Sequence, residues 1–142
     1  MADNIRLEVV TPEKSVVSED AQIIMVPGSE GEFGVLDGHT PFLTTLKVGM
    51  VRYTDASGSE KAVFISGGFA EALPDRVTIL AESAERRKDI DMSRVEAAIA
   101  RAEQHLKEAS AAAAVEDDDV DVDRAKAALS RAIGRRGAFG SR

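Results

Sequence analysis

The chain contains no cysteine and only two histidines, and both shortages exclude chemistry. Without cysteine it can form neither a disulfide nor a thiolate metal site. His39 and His105 lie far apart in the sequence, so we expect no metal site. No credible Ser-His-Asp set and no GxxxxGK[ST] phosphate-binding loop occur either. The sequence therefore predicts a protein that is not an enzyme and has no catalytic residues.

Long apolar runs and an excess of basic residues are also missing. No run approaches the roughly 18 apolar residues of a membrane-spanning helix, and the start, MADNIRLEVV, lacks the basic and apolar regions of a cleavable signal. The formal net charge is -7, whereas general nucleic-acid binding needs a basic surface. We expect no nucleic-acid partner and no direct insertion into a membrane.

Short apolar segments separated by glycine and proline fill the first part of the chain. Ile5, Leu7 and Val9 alternate with polar residues, which is the period of a half-buried strand. Short strands at such close spacing predict a β-sandwich or barrel. The further predicted strands are Ala21 to Val26, Phe33 to Leu36, Pro41 to Leu46, Val48 to Tyr53, Ala62 to Ser66, Phe69 to Leu73 and Val77 to Ala81.

Beyond Arg86 the apolar spacing becomes helical. The first helix is predicted to begin after Asp91 as N-cap and to run to about Ala113. A second, shorter helix is predicted to end by Gly134 or Gly137. The two apolar stripes are Val95, Ala98, Ile99, Ala102, Leu106 and Ala109 in the first helix, and Val122, Ala125, Leu129, Ala132 and Ile133 in the second.

An acidic segment, Val115 to Asp123, is interpreted as the linker between the two helices. It does not fit an EF-hand calcium loop, because Val122 and Ala128 stand where glycine and glutamate are needed. The predicted fold is therefore α+β with two domains. An antiparallel β-sandwich over residues 1–86 precedes an antiparallel α-helical hairpin over residues 87–142.

The helical stripes contain few large side chains. Half of the residues from Ala97 to Ala114 are alanine, and each missing methylene forgoes about 0.8 kcal/mol of burial energy. We infer a hairpin that is helical by propensity but packs weakly against the sandwich. Weak packing would allow it to change position, as a conformational regulator must.

Two glycine-bearing motifs connect the chain with a known family. The first is GSEGEFGVLDGHTPFLTTLKVG, Gly28 to Gly49, whose glycines predict positive φ or close backbone packing. The second is SGGFAEALPDRVTILAESAE, Ser66 to Glu85, in which Gly67 and Gly68 predict a bulge or crossing point. Together with the helical hairpin, these motifs resemble the epsilon subunit of bacterial F-type ATP synthases over nearly the whole chain.

The resemblance implies a non-catalytic rotor subunit in the central stalk of a proton-translocating ATP synthase. The sandwich would bind the gamma subunit and the polar loops of the membrane c-ring, peripherally at the cytoplasmic face of the bacterial inner membrane. Glu32 matches the family's loop acid that meets the ring, and His39 lies near the expected gamma surface. The hairpin would inhibit ATP hydrolysis by extending toward the catalytic alpha/beta head.

The resemblance implies no required cofactor, although some epsilon subunits bind one regulatory ATP between their C-terminal helices. Ile90, Asp91 and Arg94 match the motif of those members, while Val95 stands where they have alanine. Taken without the family, helical arginines more often form a solvated face. The residues at the corresponding nucleotide-contacting positions are Glu85, Asp91, Arg94, Arg101, Arg131 and Arg135.

Two alternatives stay open at this stage. The chain could be a free-standing adaptor or ligand-binding sandwich with a helical tail. Alternatively, it could be an epsilon subunit whose hairpin has no regulatory role. Association with a gamma subunit distinguishes the first alternative, and deletion of the hairpin distinguishes the second.

Overall fold

The computed structural model describes residues 3–113 and 119–140. The chain divides into two compact units, Met1–Asp89 and Ile90–Arg142. The second unit contains helices α1 (Met92–Ala113) and α2 (Asp119–Gly140). The strands of the first unit are β1 (Ile5–Val10), β2 (Ser15–Gly28), β3 (Gly31–Val35), β4 (Phe42–Asp55), β5 (Glu60–Ala72), β6 (Arg76–Ala81) and β7 (Ala84–Arg86), followed by a 3-10 turn at Arg87–Asp89.

The sheet of the first unit closes on itself. Its order is β1-β6-β5-β4-β2-β3, and β1 also pairs with β2, while β7 joins β5. The predicted β-sandwich is therefore confirmed in a closed, barrel-like form. One feature differs from the antiparallel expectation: β1 runs parallel to β6, from Arg6 opposite Arg76 to Val10 opposite Leu80. The additional antiparallel pairing of β1 with β2 closes the sheet.

Alternation along β1 and β6 sends their apolar residues into the interior. Ile5, Leu7 and Val9 are completely buried, as are Val77 and Ile79. They belong to one core cluster to which six strands of the unit contribute. Because β1 and β6 present every second residue to this core, the residues between these positions are less buried or face the outer surface.

The three longest strands were predicted as shorter pieces. β4 combines the predicted strands Pro41 to Leu46 and Val48 to Tyr53, and its pairing with β5 continues through both. β5 likewise combines Ala62 to Ser66 with Phe69 to Leu73, and β2 begins at Ser15 rather than Ala21. The prediction of separate or shorter strands was wrong because the buried side chains switch between odd- and even-numbered positions along each long strand. A pattern of simple alternation therefore stops where the strand in fact continues.

The parity change in β5 occurs at its glycine pair. Val63 and Ile65 are buried on one side of the pair, whereas Ala70 and Ala72 are buried on the other. Gly67 and Gly68 have φ angles of 101° and 139°. A Cβ atom at Gly68 would lie 2.0 Å from the carbonyl oxygen of Leu80. At this predicted crossing point β6 lies directly beside Gly68, with Ala81 as the pairing partner, and leaves no room for a side chain.

A polar cluster joins three strands near the β4–β5 turn. Asp55 Oδ1 accepts hydrogen bonds from the amides of Ser57 and Ser59 at 2.9 Å and from the Ser57 hydroxyl at 2.6 Å. Lys61 Nζ lies 3.0 Å from carboxylate oxygens of both Asp55 and Glu19. The Ser57 hydrogen bond, followed by that from Lys61, holds the pKa of Asp55 well below its ordinary value. The cluster thereby connects β2, β4 and β5.

The second unit begins as predicted. Asp91 caps α1 by accepting hydrogen bonds from the amides of Ser93 at 2.9 Å and Arg94 at 3.3 Å. Within the predicted first stripe, Val95, Ile99 and Ala102 are buried. The stripe confirms the helical interpretation of the spacing.

The second helix differs from the prediction at both ends. Residues 119–123, predicted as linker, form the first turn of α2, and residues 115–118 lie outside the described residues. α2 also continues to Gly140 rather than ending by Gly134 or Gly137. Of the predicted stripe, Ala125 and Ala132 are buried but Ile133 is exposed. Ala138, outside that stripe, is buried, which gives the extended end an apolar contact.

The crossing at Gly68 yields a test of the fold. The change Gly68→Ala should lower the free energy of unfolding by about 1–3 kcal/mol through backbone strain, and by about 1–3 kcal/mol more through the clash with Leu80. Urea unfolding followed by circular dichroism measures the sum of these two losses. Gly31→Ala is the matched control, because Gly31 has φ 137° but nothing within 4 Å of its added Cβ. Equal losses in the two variants would contradict a close crossing.

Candidate functional site

The glycine-rich stretch forms a tight hairpin at one end of the sheet. Gly28 pairs with Gly31, so that Ser29 and Glu30 alone make the turn between β2 and β3. The amide of Ser29 donates to the Thr45 carbonyl at 3.0 Å, and the two hydroxyls lie 2.7 Å apart. These contacts fix the turn against β4. We call the turn and its flanking residues, 28–32, the β2–β3 tip.

Glu32, one of the two predicted partner-binding residues, lies at the edge of this tip. Its side chain is 42% exposed, and its Oε1 atom lies 2.5 Å from an Nη atom of Arg52 on β4. β3 is the last strand in the sheet order and pairs with β2. The Glu32–Arg52 ion pair therefore also connects this edge strand with β4. Sequence reasoning did not find Arg52, which is 20 residues away.

His39, the other predicted partner-binding residue, is half-buried in its own loop. Its Nδ1 atom lies 2.7 Å from the carbonyl oxygen of Thr40, and its ring centroid lies 5.1 Å from that of Phe42. Phe42 also makes an edge contact with Phe33, at 5.0 Å. His39 is thus held by packing on the same aromatic ring that supports the tip strand β3.

An apolar surface that the sequence analysis missed lies on the outer face of β5 and β6. Phe69 and Leu80 are direct cross-strand partners, and they are 53% and 54% exposed. We call this pair the Phe69–Leu80 patch. The available signal was alternation, because burial of Val77, Ile79 and Ala81 forces Leu80 outward.

A cleft of about 790 Å³ adjoins the Phe69–Leu80 patch. Gly67 and Gly68 line it without side chains, while Val10, Pro12 and Leu46 contribute apolar atoms. The glycine pair required by the strand crossing therefore also leaves an open, largely apolar depression. Exposed apolar residues beside such a depression are typical of a protein interface.

The candidate nucleotide residues are distributed over both units. Glu85 lies on β7 of the first unit, whereas the other five belong to the second. The Asp91 carboxylate is engaged in capping α1, and Arg94 and Arg101 are exposed on that helix. Arg131 and Arg135 are half-buried on α2. Of the six, Arg131 lines the groove between the two helices.

This groove has a volume of about 640 Å³. Its walls include Ala102, Ala109, Ala125 and Ala128, whose short side chains leave the space open. Polar atoms come from His105 and Glu108 of α1 and from Arg124 and Arg131 of α2. Arg124 was not among the predicted nucleotide residues, although its position seven residues before Arg131 places both on one helix face. The groove combines cationic groups with an apolar lining, which suits an anionic ligand.

The described part of the chain offers neither a metal site nor a membrane-spanning helix. No cluster of three or more His, Asp or Glu side chains among residues 3–111 and 123–139 could hold a metal ion. Neither helix, over the same residues, is both long and apolar enough to cross a bilayer.

Comparisons of sequence with known proteins agree over both units. Residues 4–87 match the model of the beta-sandwich domain of the ATP synthase delta/epsilon chain, and residues 88–136 match its long alpha-helix domain. The ATP synthase epsilon chain of Desulforapulum autotrophicum is 61% identical over 135 residues, covering 95% of each chain. That of Syntrophobacter fumaroxidans is 50% identical over the same length and coverage.

Solved structures share the fold at lower identity. A chain in the mitochondrial ATP synthase of Euglena gracilis superposes with a TM-score of 0.79 at 23% identity, covering 96% of this chain and 81% of that one. A chain in the central stalk and c-ring of the Tetrahymena thermophila enzyme gives a TM-score of 0.58 at 14% identity, covering 97% and 98%.

Proposed function

This chain belongs to the delta/epsilon family of ATP synthase subunits, and we propose that it acts as the non-catalytic epsilon subunit of the central stalk. In that role it links the gamma subunit to the c-ring and transmits rotation. The observation that carries the proposal is the exposed Phe69–Leu80 patch beside its glycine-lined cleft. It supplies the apolar surface that a stalk subunit needs to hold its partner under load.

The gamma subunit is the partner assigned to this patch. Burial of a large apolar side chain contributes about 1.5–3 kcal/mol, so two such residues can dominate a contact. The adjoining cleft can receive a protruding side chain of the partner. His39 lies in another loop of the same unit, and we assign it to the margin of the gamma contact, as the family resemblance implies.

The c-ring is the partner assigned to the β2–β3 tip. Acidic side chains at a hairpin end, held on a fixed backbone, suit contact with basic side chains of the ring's polar loops. We therefore propose that the protein is held peripherally at the cytoplasmic face of the bacterial inner membrane. Its attachment there is through the ring and not through lipid.

Removing the Phe69–Leu80 patch tests the gamma contact. The double change Phe69→Ser, Leu80→Ser should raise the Kd for purified gamma at least about tenfold, because two apolar burials are lost. Biolayer interferometry measures Kd, and size exclusion checks the complex. Ile23→Ser, which alters an exposed apolar residue on β2, serves as the control and should bind normally. Failure of the unmodified chain to bind gamma would favour the free-standing adaptor instead.

The helical hairpin is proposed to regulate ATP hydrolysis. Its buried positions include Ala102, Ala125, Ala132 and Ala138, each of which offers little apolar area. No carboxylate forms an ion pair with Arg94, Arg101 or Arg131 among residues 3–111 and 123–139, whose side chains the structure describes. A helix pair with weak internal packing and uncompensated cations can exchange its contacts for an acidic surface on the catalytic alpha/beta head.

Deletion of residues 90–142 tests this regulation in the assembled enzyme. We expect the ATP hydrolysis rate to rise while gamma binding persists, because the sheet unit has a core of its own. The rate is measured with a coupled assay on the reconstituted complex. An unchanged rate would show that the hairpin does not inhibit.

Regulatory ATP is a second proposal, which the arginine-lined groove favours. We assign Arg131 to a phosphate, with Glu85, Asp91, Arg94, Arg101 and Arg135 as the remaining expected residues. Equilibrium dialysis of the full chain with ATP should show binding that Arg131→Gln weakens about tenfold or more, since a charge-assisted hydrogen bond is lost. Arg136→Gln, an exposed change on the same helix, is the control. Equal effects of the two changes would argue against a site in the groove.

A further inference from the structure

The β2–β3 tip carries two carboxylates in different surroundings. Glu32 forms its ion pair with Arg52. Glu30 stands exposed in the two-residue turn, and within the described part of the chain it forms no ion pair. The negative charge at Glu32 is therefore already compensated inside the protein, whereas the charge at Glu30 faces solvent.

Strand register explains why Arg52 reaches Glu32. Glu32 lies opposite Pro27, which offers no polar side chain, and Gly34 lies opposite Met25. Arg52 lies opposite Met25 on the other side of β2. The thioether of Met25 packs over Gly34, where an added Cβ would lie 3.0 Å from the sulfur. Only small or apolar groups thus separate Glu32 from Arg52 across the sheet.

The position of Glu30 is also defined by the fold. Its neighbour Ser29 is held to Thr45 of β4 through both backbone and hydroxyl. A turn fixed in this way loses little conformational entropy when a partner binds. Glu30 is consequently presented at a defined place.

We infer that Arg52 decides which tip carboxylate meets the c-ring: it neutralises Glu32, so that a basic side chain of a ring loop pairs with Glu30. This inference rests on the proposed contact between the tip and the ring. Arg52 is a positioning residue in this scheme, because it acts through Glu32 and need not touch the ring. Glu30, Glu32 and Arg52 together carry a formal charge of -1, which a basic side chain of the ring would neutralise.

Three variants distinguish the contribution of Glu30 to ring binding from that of Glu32. Glu30→Gln removes the exposed charge and leaves the ion pair. The double change Glu32→Gln, Arg52→Gln removes the ion pair and leaves both Glu30 and the net charge of the tip. Arg52→Gln alone releases Glu32 and makes the tip more negative. Because exposed ion pairs add little to folding stability, all three should fold, which melting curves check.

The measurement uses the full chain bound to gamma and a detergent-purified c-ring, with Kd determined by biolayer interferometry at several salt concentrations. Glu30→Gln should raise Kd about three- to tenfold at low salt, and the effect should shrink as salt screens it. The double variant should stay within about twofold of the unmodified chain, as expected when a charge-compensated pair is removed. Arg52→Gln should bind more tightly at low salt. Glu60→Gln, an exposed acid paired with Thr54 far along β4, is the control for net charge.

The outcomes distinguish this inference from the function on which it rests. If the double variant weakens binding as much as Glu30→Gln or more, Glu32 is the contact and the inference is wrong. If Glu30→Gln behaves like Glu60→Gln while the unmodified chain binds the ring, the inference again fails but the ring contact stands. If the unmodified complex does not bind the ring, the proposed tip contact itself fails.

Discussion

The close approach of β6 to Gly68 is the contact on which the rest of the sheet depends. The Leu80 carbonyl occupies the space where any other residue would place its Cβ. Because β6 can approach so closely, it pairs with β5 on one side and with β1 on the other, and the sheet closes around one core. The same absence of side chains opens the cleft beside Phe69 and Leu80. Closure of the fold and the proposed gamma surface thus have one cause.

The two units bury side chains of different size. The sheet unit encloses large aliphatic side chains such as Ile5, Leu7 and Ile79, each of which contributes about 1.5–3 kcal/mol when buried. The hairpin buries mainly alanine, which contributes far less per residue. The difference in the size of the buried residues fits the proposed division into a unit for attachment and a weakly packed unit for regulation. This division suits a rotor subunit that must transmit force and also change state.

The order of secondary structure could be predicted from the sequence, but the extent of several elements could not. Alternation identified β1 and β6, and helical spacing with Asp91 as N-cap identified α1. β2, β4 and β5 were divided or shortened in the prediction because their buried positions switch between odd- and even-numbered residues along the strand. A strand recognised by simple alternation ends at such a switch. The continuation of α2 past Gly134 and Gly137 was missed because glycine ends a helix only where tertiary contacts do not extend it. Ala138 supplies such a contact.

For the candidate site, the sequence by itself determined the composition of each surface: glycines at the tip and crossing, carboxylates at Glu30 and Glu32, and arginines on both helices. The tertiary structure decided what those residues meet. It paired Glu32 with Arg52 across two strand boundaries, turned Phe69 and Leu80 outward together, and placed Arg124 beside Arg131 in one groove. The physical reason is that local patterns mainly determine the backbone conformation of each element. Contacts between residues far apart in the chain depend on strand register and crossing geometry.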